Sequence, residues 1–149
     1  MKNIFIVTFL LFSVLKADFI RDDKKEVVSD TTTCLMWQDD IATTTSFATW
    51  QEAIEYCDSL NFAGFTDWRL PNINELNSIS DRTKSHPAIK DIFNNIDSFS
   101  DVDIPLAWPY LSSTSQNNST AWGIDFTQGY VSRIDKTSGG EVRCVRSGQ

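Results

Sequence analysis

A ten-residue stretch, Asp67–Leu76, constrains the fold of this chain more than any other part of its sequence. Its proline, Pro71, fixes its own φ angle and disfavours helical conformations in the residue before it, so the chain turns there. Asn72 is followed three residues later by Glu75, which is the spacing of a helix capping box. The stretch therefore predicts an extended segment, a turn and the start of a helix in succession.

The arginine of this stretch needs acidic partners, because Arg69 stands between the large apolar side chains of Trp68 and Leu70. A partly buried guanidinium group is stabilised by carboxylates that accept its N–H groups. Asp67 and Glu75 are the nearest candidates along the chain. We interpret the group as a structural joint, since lone pairs of arginine and carboxylate are common and no nucleophile or base accompanies this one. The joint consists of Trp68, Arg69, Pro71 and Glu75.

The first 17 residues have the features of a secretory signal peptide. Lys2 precedes an apolar run of about 12 residues, and cleavage is expected after Ala17. A membrane-spanning helix would need about 20 apolar residues, although retention as an uncleaved anchor is an alternative. We therefore expect one domain, residues 18–149, in a secreted or periplasmic location and without a transmembrane segment once the signal is removed.

The charge of the chain excludes several classes of partner. The whole sequence carries a formal charge of −7. Without Lys2 and Lys16, eleven basic residues face twenty acidic ones, which gives −9 for the predicted mature domain. This balance argues against nucleic acid and against a polybasic membrane patch. It also disfavours a strongly anionic ligand.

Three cysteines permit three different single disulfides, each leaving one thiol unpaired. We favour a bridge between Cys57 and Cys144, because each lies near apolar positions of a predicted regular element. Cys34 is then free, and its apolar neighbours predict a small buried side chain. His86 and the cysteines lack the spacing of a zinc site, and we interpret His86 as a surface residue.

Two further parts of the chain predict regular structure. Residues 19–38 read as a strand pair, since two short apolar runs are separated by polar turn residues. Thr49 and Glu52 form a second capping box at the start of a helix that places Cys57 on its apolar face. The C-terminal region, from residue 120, alternates apolar and polar residues and predicts an antiparallel meander of three strands, at about 122–126, 130–134 and 142–146.

Two groups of residues are candidates for binding. Carboxylates at Asp97, Asp101 and Asp103 could supply oxygen ligands to Ca²⁺, with solvated loop acids as the alternative. An aromatic segment that runs into hydroxyl and amide side chains offers the mixture of groups that holds sugars. Its candidate ligand-binding residues are Trp108, Tyr110, Ser113, Asn117 and Asn118. The alternative is that the aromatic residues pack in the core while the others cap turns.

Several motifs together resemble the C-terminal domain of the Legionella collagen-like adhesin, a widespread bacterial domain. The motifs are residues 33–38 (TCLMWQ), 50–53 (WQEA), 63–72 (AGFTDWRLPN), 112–114 (SST) and 142–146 (VRCVR). The resemblance implies a secreted or envelope-associated α+β domain similar to C-type lectins, with two helices on a mostly antiparallel sheet. It also implies a disulfide from an early helix to the last strand, which agrees with Cys57 and Cys144. Two positions depart from the family pattern: Cys34 replaces a glycine, and Leu111 replaces a tryptophan.

These observations together predict a non-enzymatic binding module for carbohydrate or a cell-envelope surface, without a cofactor unless Ca²⁺ is bound. The adhesin relative binds sulfated polysaccharides, but a charge of −9 argues against the same ligand class here. The alternatives are a structural, self-assembling envelope protein and, less favoured, an enzyme on a lectin-like fold. A catalytic triad is not expected because one histidine would have to serve every role.

Overall fold

The computed structural model describes residues 19–96 and 108–148 of the 149-residue chain. This part of the chain forms an α+β structure with two α-helices and two β-sheets. The predicted signal segment lies outside the described residues. Among the described helices, none has the length and apolar character needed to cross a membrane.

The first sheet joins the two ends of the described chain. Its strands are β1 (Phe19–Asp22), β2 (Val27–Asp30), β3 (Leu35–Gln38) and β9 (Val145–Ser147). They lie in the order β1-β2-β3-β9, and every pair is antiparallel. The predicted strand pair is confirmed as β2 and β3. Strand β1, which was not predicted, and a strand from the other end of the chain complete the sheet.

The second sheet contains five strands in the order β4-β8-β5-β6-β7. Their bounds are β4 (Phe47–Ala48), β5 (Tyr110–Ser115), β6 (Thr120–Asp125), β7 (Tyr130–Asp135) and β8 (Gly140–Glu141). All pairs are antiparallel except β5 with β8, which is parallel. The expected single sheet is therefore wrong: two sheets form, and one of them is mixed.

The two helices begin where the capping boxes predicted. Helix α1 spans Trp50–Ser59, and the Glu52 carboxylate accepts hydrogen bonds from the Thr49 backbone N–H and hydroxyl. Helix α2 spans Ile73–Ser78, and the Asn72 side chain accepts from two backbone N–H groups of its first turn. Both helices contact strand β5. A short 3-10 helix, Ile41–Thr44, precedes β4.

The prediction that residues 142–146 form the third strand of the C-terminal meander is wrong. Strands β5, β6 and β7 form the meander, whereas residues 140–147 pass from the second sheet into the first. Residues 142–144 between β8 and β9 are not in a strand, and all of 139–146 is buried. Apolar and polar residues alternate along a strand only where one face is exposed to water, so this pattern does not identify a strand in a segment that is buried on both sides. We call residues 142–144 the crossover.

A disulfide fastens the crossover to α1. Cys57 and Cys144 are bonded, as predicted, and both side chains are fully buried. Their separation of 87 residues closes a long loop. In the chain-entropy description, a loop of this length stabilises the fold by about 4–5 kcal/mol.

A buried ion pair fastens the crossover to the end of β3. The Nη1 group of Arg143 donates to Asp39 Oδ1 and to the Gln38 carbonyl, both at 2.7 Å. Its Nη2 group donates to the Asn95 carbonyl and, at 3.3 Å, to the Thr43 hydroxyl. Both charged side chains have no exposed surface.

The carboxylate of Asp39 has further hydrogen-bond donors. Asp39 also accepts hydrogen bonds from Arg21, from the Asn94 backbone N–H at 2.9 Å and from the Asn95 backbone N–H at 3.2 Å. Phe93 lies beneath the guanidinium of Arg143, 5.1 Å from its ring centre. Burial lowers the pKa of Arg143, yet arginine stays charged at any physiological pH. The charge is therefore neutralised inside the protein, by Asp39.

We expect Arg143→Met to lower the free energy of unfolding by about 3–5 kcal/mol, because it leaves the carboxylate of Asp39 buried beside one remaining arginine. Urea unfolding followed by circular dichroism measures this loss. The matched control is Arg133→Met, which removes an exposed arginine of β7 and should change stability by about 0.5 kcal/mol or less. Equal small effects for both variants would contradict the central role of the ion pair.

Candidate functional site

Of the two aromatic residues predicted to bind a ligand, Trp108 is the exposed one. It lies two residues before β5 and is 43% exposed. Its ring meets that of Phe47, on β4, edge to face with 5.0 Å between the ring centres. Phe47 is 48% exposed. We call Phe47 and Trp108 the aromatic pair.

The turn before β8 makes room for this pair. Gly139 has a φ of +81°, which side chains other than glycine rarely adopt. A Cβ at this position would also lie 2.8 Å from a carbon of the Phe47 ring. The ring therefore rests directly on the backbone of the turn, at the β4 edge of the second sheet. Along the chain, Thr45 lies two residues before Phe47 and Ser138 lies one residue before Gly139, and both are exposed.

Tyr110 was predicted to bind a ligand, but the structure places it in the core. It is 2% exposed, and its hydroxyl donates to the Thr43 carbonyl at 2.9 Å. Its ring packs edge to face on Phe126, with 5.3 Å between the centres. Both the apolar and the polar part of this side chain are thus engaged inside the protein, so a ligand at the surface does not reach them.

The three remaining candidates of the set lie at or towards the other end of β5. The Ser113 hydroxyl donates to the Pro71 carbonyl at 3.2 Å, which ties β5 to the joint. The Asn117 side-chain oxygen accepts from the backbone N–H groups of Ser119 and Thr120, as in an Asx turn. Asn118 is exposed. Because a six-residue strand is roughly 20 Å long, Asn117 and Asn118 do not share one site with Trp108.

The ring of Trp50 is a second aromatic surface, and the side chain of Lys136 covers it. The ammonium group of Lys136 lies 4.0 Å from the ring centre of Trp50 and donates to the Ser115 hydroxyl at 2.8 Å. The indole N–H of Trp50 donates to the Ser112 carbonyl at 2.9 Å. A sugar would have to displace the lysine to stack there. The aromatic pair is thus the more accessible of the two surfaces.

An open cavity of about 400 Å³ lies on another part of the surface. It is lined by Lys84, Ser85, Pro87, Ile89, Lys90, Asp91 and Phe93. Its two lysines are engaged: Lys84 pairs with Asp91, and Lys90 donates to the Ser78 carbonyl and lies over the Phe19 ring. Hydrogen bonding to Asp91 raises the pKa of Lys84. His86 lies beside the cavity and is exposed, as predicted.

The proposed calcium ligands Asp97, Asp101 and Asp103 lie outside the described residues. Within residues 19–96 and 108–148, no group of three or more histidine, cysteine, aspartate or glutamate side chains is placed to hold a metal ion.

The joint has the geometry that its sequence predicted. Arg69 donates to both oxygens of Glu75, at 2.7 Å each, and Glu75 also accepts from the Asn72 backbone N–H at 2.8 Å. Trp68 is buried, and its indole N–H donates to the Phe62 carbonyl at 3.1 Å. Burial raises the pKa of Glu75, but the hydrogen bonds from Arg69 and Asn72 outweigh it and hold the pKa below its ordinary value of 4.5.

The other predicted partner of Arg69 binds elsewhere. Asp67 accepts two hydrogen bonds from Arg146, at 2.7 and 3.0 Å. The hydrogen bond from Arg146 lowers the pKa of Asp67. The guanidinium of Arg146 also stacks 3.8 Å from the ring centre of Phe65. Two ion pairs therefore lie side by side along the joint, one to α2 and one to β9.

Cys34 is exposed and unpaired, so the predicted buried side chain is wrong. It lies in the turn between β2 and β3 with a φ of +55°. This left-handed conformation favours glycine, the residue that the resemblance described above implies for this position. The neighbours Leu35 and Trp37 are buried in β3, but the turn that carries Cys34 is not.

The residues that sequence reasoning missed left different signals. Arg143 stands among apolar residues, which indicates that it is buried and paired with an acidic side chain. Asp39 was one candidate for that partner. Phe47 stands in a polar stretch with no periodic pattern, and its partner Trp108 is far away in the chain. Only the three-dimensional structure brings the aromatic pair together.

The comparisons with known proteins agree with the resemblance seen in the sequence. The family model described as the Lcl C-terminal domain matches residues 26–146. A search of curated proteins finds no match for the chain.

We expect Glu75→Gln to remove part of the acid sensitivity of folding. A carboxyl whose pKa is lowered on folding stabilises the native state above its unfolded pKa, and this stability is lost as the pH falls through the folded value. The stability gap between wild type and variant should therefore be largest near neutral pH and shrink below pH 4.5. Urea unfolding over a pH series measures the gap.

Arg69→Met is the companion variant for this test, since it removes the partner rather than the acid. It should flatten the same part of the pH profile. A constant gap between wild type and Glu75→Gln at every pH would contradict the ion-pair explanation.

We expect Cys34→Gly to raise the free energy of unfolding by about 0.5–1 kcal/mol, because relief of the left-handed strain exceeds the extra freedom of glycine in the unfolded chain. Cys34→Ser is the matched control: it also removes the thiol but keeps the strain, and should leave stability near that of wild type. Thermal unfolding of the oxidised protein distinguishes them. If both variants shift stability alike, the backbone conformation is not the cause.

Proposed function

Since the chain belongs to the Lcl C-terminal domain family, we propose that it is an extracytoplasmic, non-enzymatic module that binds carbohydrate through the aromatic pair. The observation that carries the proposal is the edge-to-face contact of two half-exposed rings, Phe47 and Trp108, at the edge of a sheet. Large aromatic side chains at a protein surface supply flat apolar area without much conformational entropy to lose. The apolar face of a sugar ring matches such a surface.

The charge of the chain favours a neutral glycan as the ligand. The whole sequence carries −7. A polyanionic chain would meet repulsion over most of the protein surface. Neutral sugars have no such cost.

The disulfide supports the extracytoplasmic part of the proposal. Structural disulfides persist in oxidising compartments and are rare in the cytosol. Cys57 and Cys144 form such a bond in the core of the domain. We also propose a relationship to the C-type lectin fold, since the bond joins the first helix to the residue before the last strand.

The proposal is tested by binding of the oxidised chain to a panel of neutral, acidic and sulfated glycans. We expect a neutral glycan to bind, and Trp108→Ala to weaken its affinity about tenfold or more, equal to roughly 1.4 kcal/mol. The matched control is Tyr130→Ala, which removes an aromatic residue that is 61% exposed on β7 and should bind as wild type does.

Urea unfolding of each variant shows whether the fold is retained. Unchanged affinity in both Trp108→Ala and Phe47→Ala would exclude the aromatic pair as the site. Failure of the wild-type chain to bind any glycan of the panel would overturn the proposed function.

Repeating the glycan-binding measurements with chelator tests whether binding requires Ca²⁺. We propose that binding needs no cofactor, so chelator should leave the affinity unchanged. Loss of binding with chelator would instead indicate a Ca²⁺ site, for which Asp97, Asp101 and Asp103 are the candidate ligands.

A further inference from the structure

Strand β7 presents a free edge to the outside of the second sheet. It spans Tyr130–Asp135 and, in the described part of the chain, pairs only with β6. The other edge strands are less suited to pairing with another chain. Strand β4 has two residues and β1 has four. The outer edge of β9 already pairs with Arg69 through Val145. A strand of six residues with an open edge is a template for pairing.

The register of β6 with β7 shows which backbone groups face outwards. Thr120 lies opposite Asp135, and in the same register the Lys136 N–H donates to the Ser119 carbonyl at 2.9 Å. Hydrogen-bonded and non-bonded pairs alternate along an antiparallel ladder. The even-numbered residues of β7 therefore bond to β6. The N–H and C=O groups that point away from it belong to Val131, Arg133 and Asp135.

The side chains on this edge are self-complementary. Arg133 and Asp135 are both exposed and, two residues apart, lie on the same face of the sheet. Ile134 between them is 6% exposed and packs into the core. A second copy of the strand, running in the opposite direction, offers the same two charges in reversed order.

We propose that the β7 edge binds the β7 edge of a second copy of this chain, antiparallel and about a two-fold axis at Ile134. This register places Arg133 of each copy opposite Asp135 of the other, which gives two ion pairs. It joins the two five-stranded sheets into one sheet of ten strands. The interface is isologous, as expected of a two-fold dimer.

The neighbouring registers are less favourable. Only outward-facing residues can form the hydrogen-bonded pairs, so the nearby positions for the two-fold axis are Asp135, Arg133 and Ser132. An axis at Asp135 or at Arg133 sets two like charges opposite each other, which is repulsive. An axis at Ser132 sets Arg133 opposite Val131 and leaves Asp135 opposite Gly129. The axis at Ile134 alone gives opposite charges on facing positions.

One backbone group of this register already has a partner. The Asp135 carbonyl accepts the Ser138 N–H of the following turn at 3.0 Å. A carbonyl oxygen can accept a second hydrogen bond, so the group stays available. Exposed ion pairs contribute about 0–1 kcal/mol each, and both copies carry −7. The dimer therefore belongs to the weak, concentration-dependent class.

Sedimentation of the full-length chain over a wide concentration range tests the proposal. We expect a reversible equilibrium of monomer and dimer. Arg133→Asp and Asp135→Arg should each weaken association at least tenfold, because like charges then face each other. The double variant Arg133→Asp/Asp135→Arg restores opposite charges on facing positions in this register and should restore the dimer.

Arg133→Pro tests the backbone part of the interface. It removes an N–H group that points away from β6 and that faces Asp135 of the second copy in this register, so the fold should be kept while the dimer is weakened. Arg133→Ala is its matched control, since it removes the same charge but keeps the N–H group, and it should dimerise more strongly than Arg133→Pro. Circular dichroism and urea unfolding of each variant confirm the fold.

The proposal is overturned if the wild-type chain stays monomeric, if it forms an odd-numbered oligomer, or if the double charge reversal does not restore the dimer. Equal association of Arg133→Pro and Arg133→Ala would also overturn it. The aromatic pair lies at the opposite edge of the sheet, so glycan binding is expected to be independent of these variants.

Discussion

The buried ion pair of Asp39 and Arg143 is the interaction on which the rest of the structure depends. Asp39 directly follows β3 of the first sheet, and Arg143 lies in the crossover between β8 and β9. Neither charge could be buried alone, since the cost of removing it from water would exceed what the fold gains elsewhere. The two sheets are therefore held together by a pair that must form as a unit. Cys144, beside Arg143, adds a covalent connection to α1 at the same place.

The aromatic pair is linked to this ion pair indirectly, through strand β8. The crossover continues from β8, and β8 pairs with β4, which carries Phe47. The Gly139 turn immediately before β8 supports the Phe47 ring. The rigid interior thus sets the position of a surface feature made from distant parts of the chain. For the proposed glycan site, this means that little reordering is needed when a ligand arrives, which lowers the entropic cost of binding.

The local features of the fold could be predicted from the sequence, because their signals lie within a few residues. Both capping boxes and the pairing of Arg69 with Glu75 are of this kind. The family resemblance and the apolar positions together indicated the disulfide. The return of β9 to β3 and the contact of Phe47 with Trp108 could not be predicted, since each joins residues far apart in the chain. Period-two alternation also failed in the crossover, which is buried on both sides.

The crossover also determines when this domain can finish folding as it is made. The partner of Cys57 lies 87 residues later, so at about 5–20 residues per second Cys57 is synthesised roughly 4–17 s before it. Cys34 is the only other cysteine in the sequence, and it precedes them both. Oxidation during that interval would join Cys34 to Cys57. Correct assembly therefore requires either that oxidation wait for the C-terminal residues or that an early, wrong bond be exchanged once they arrive.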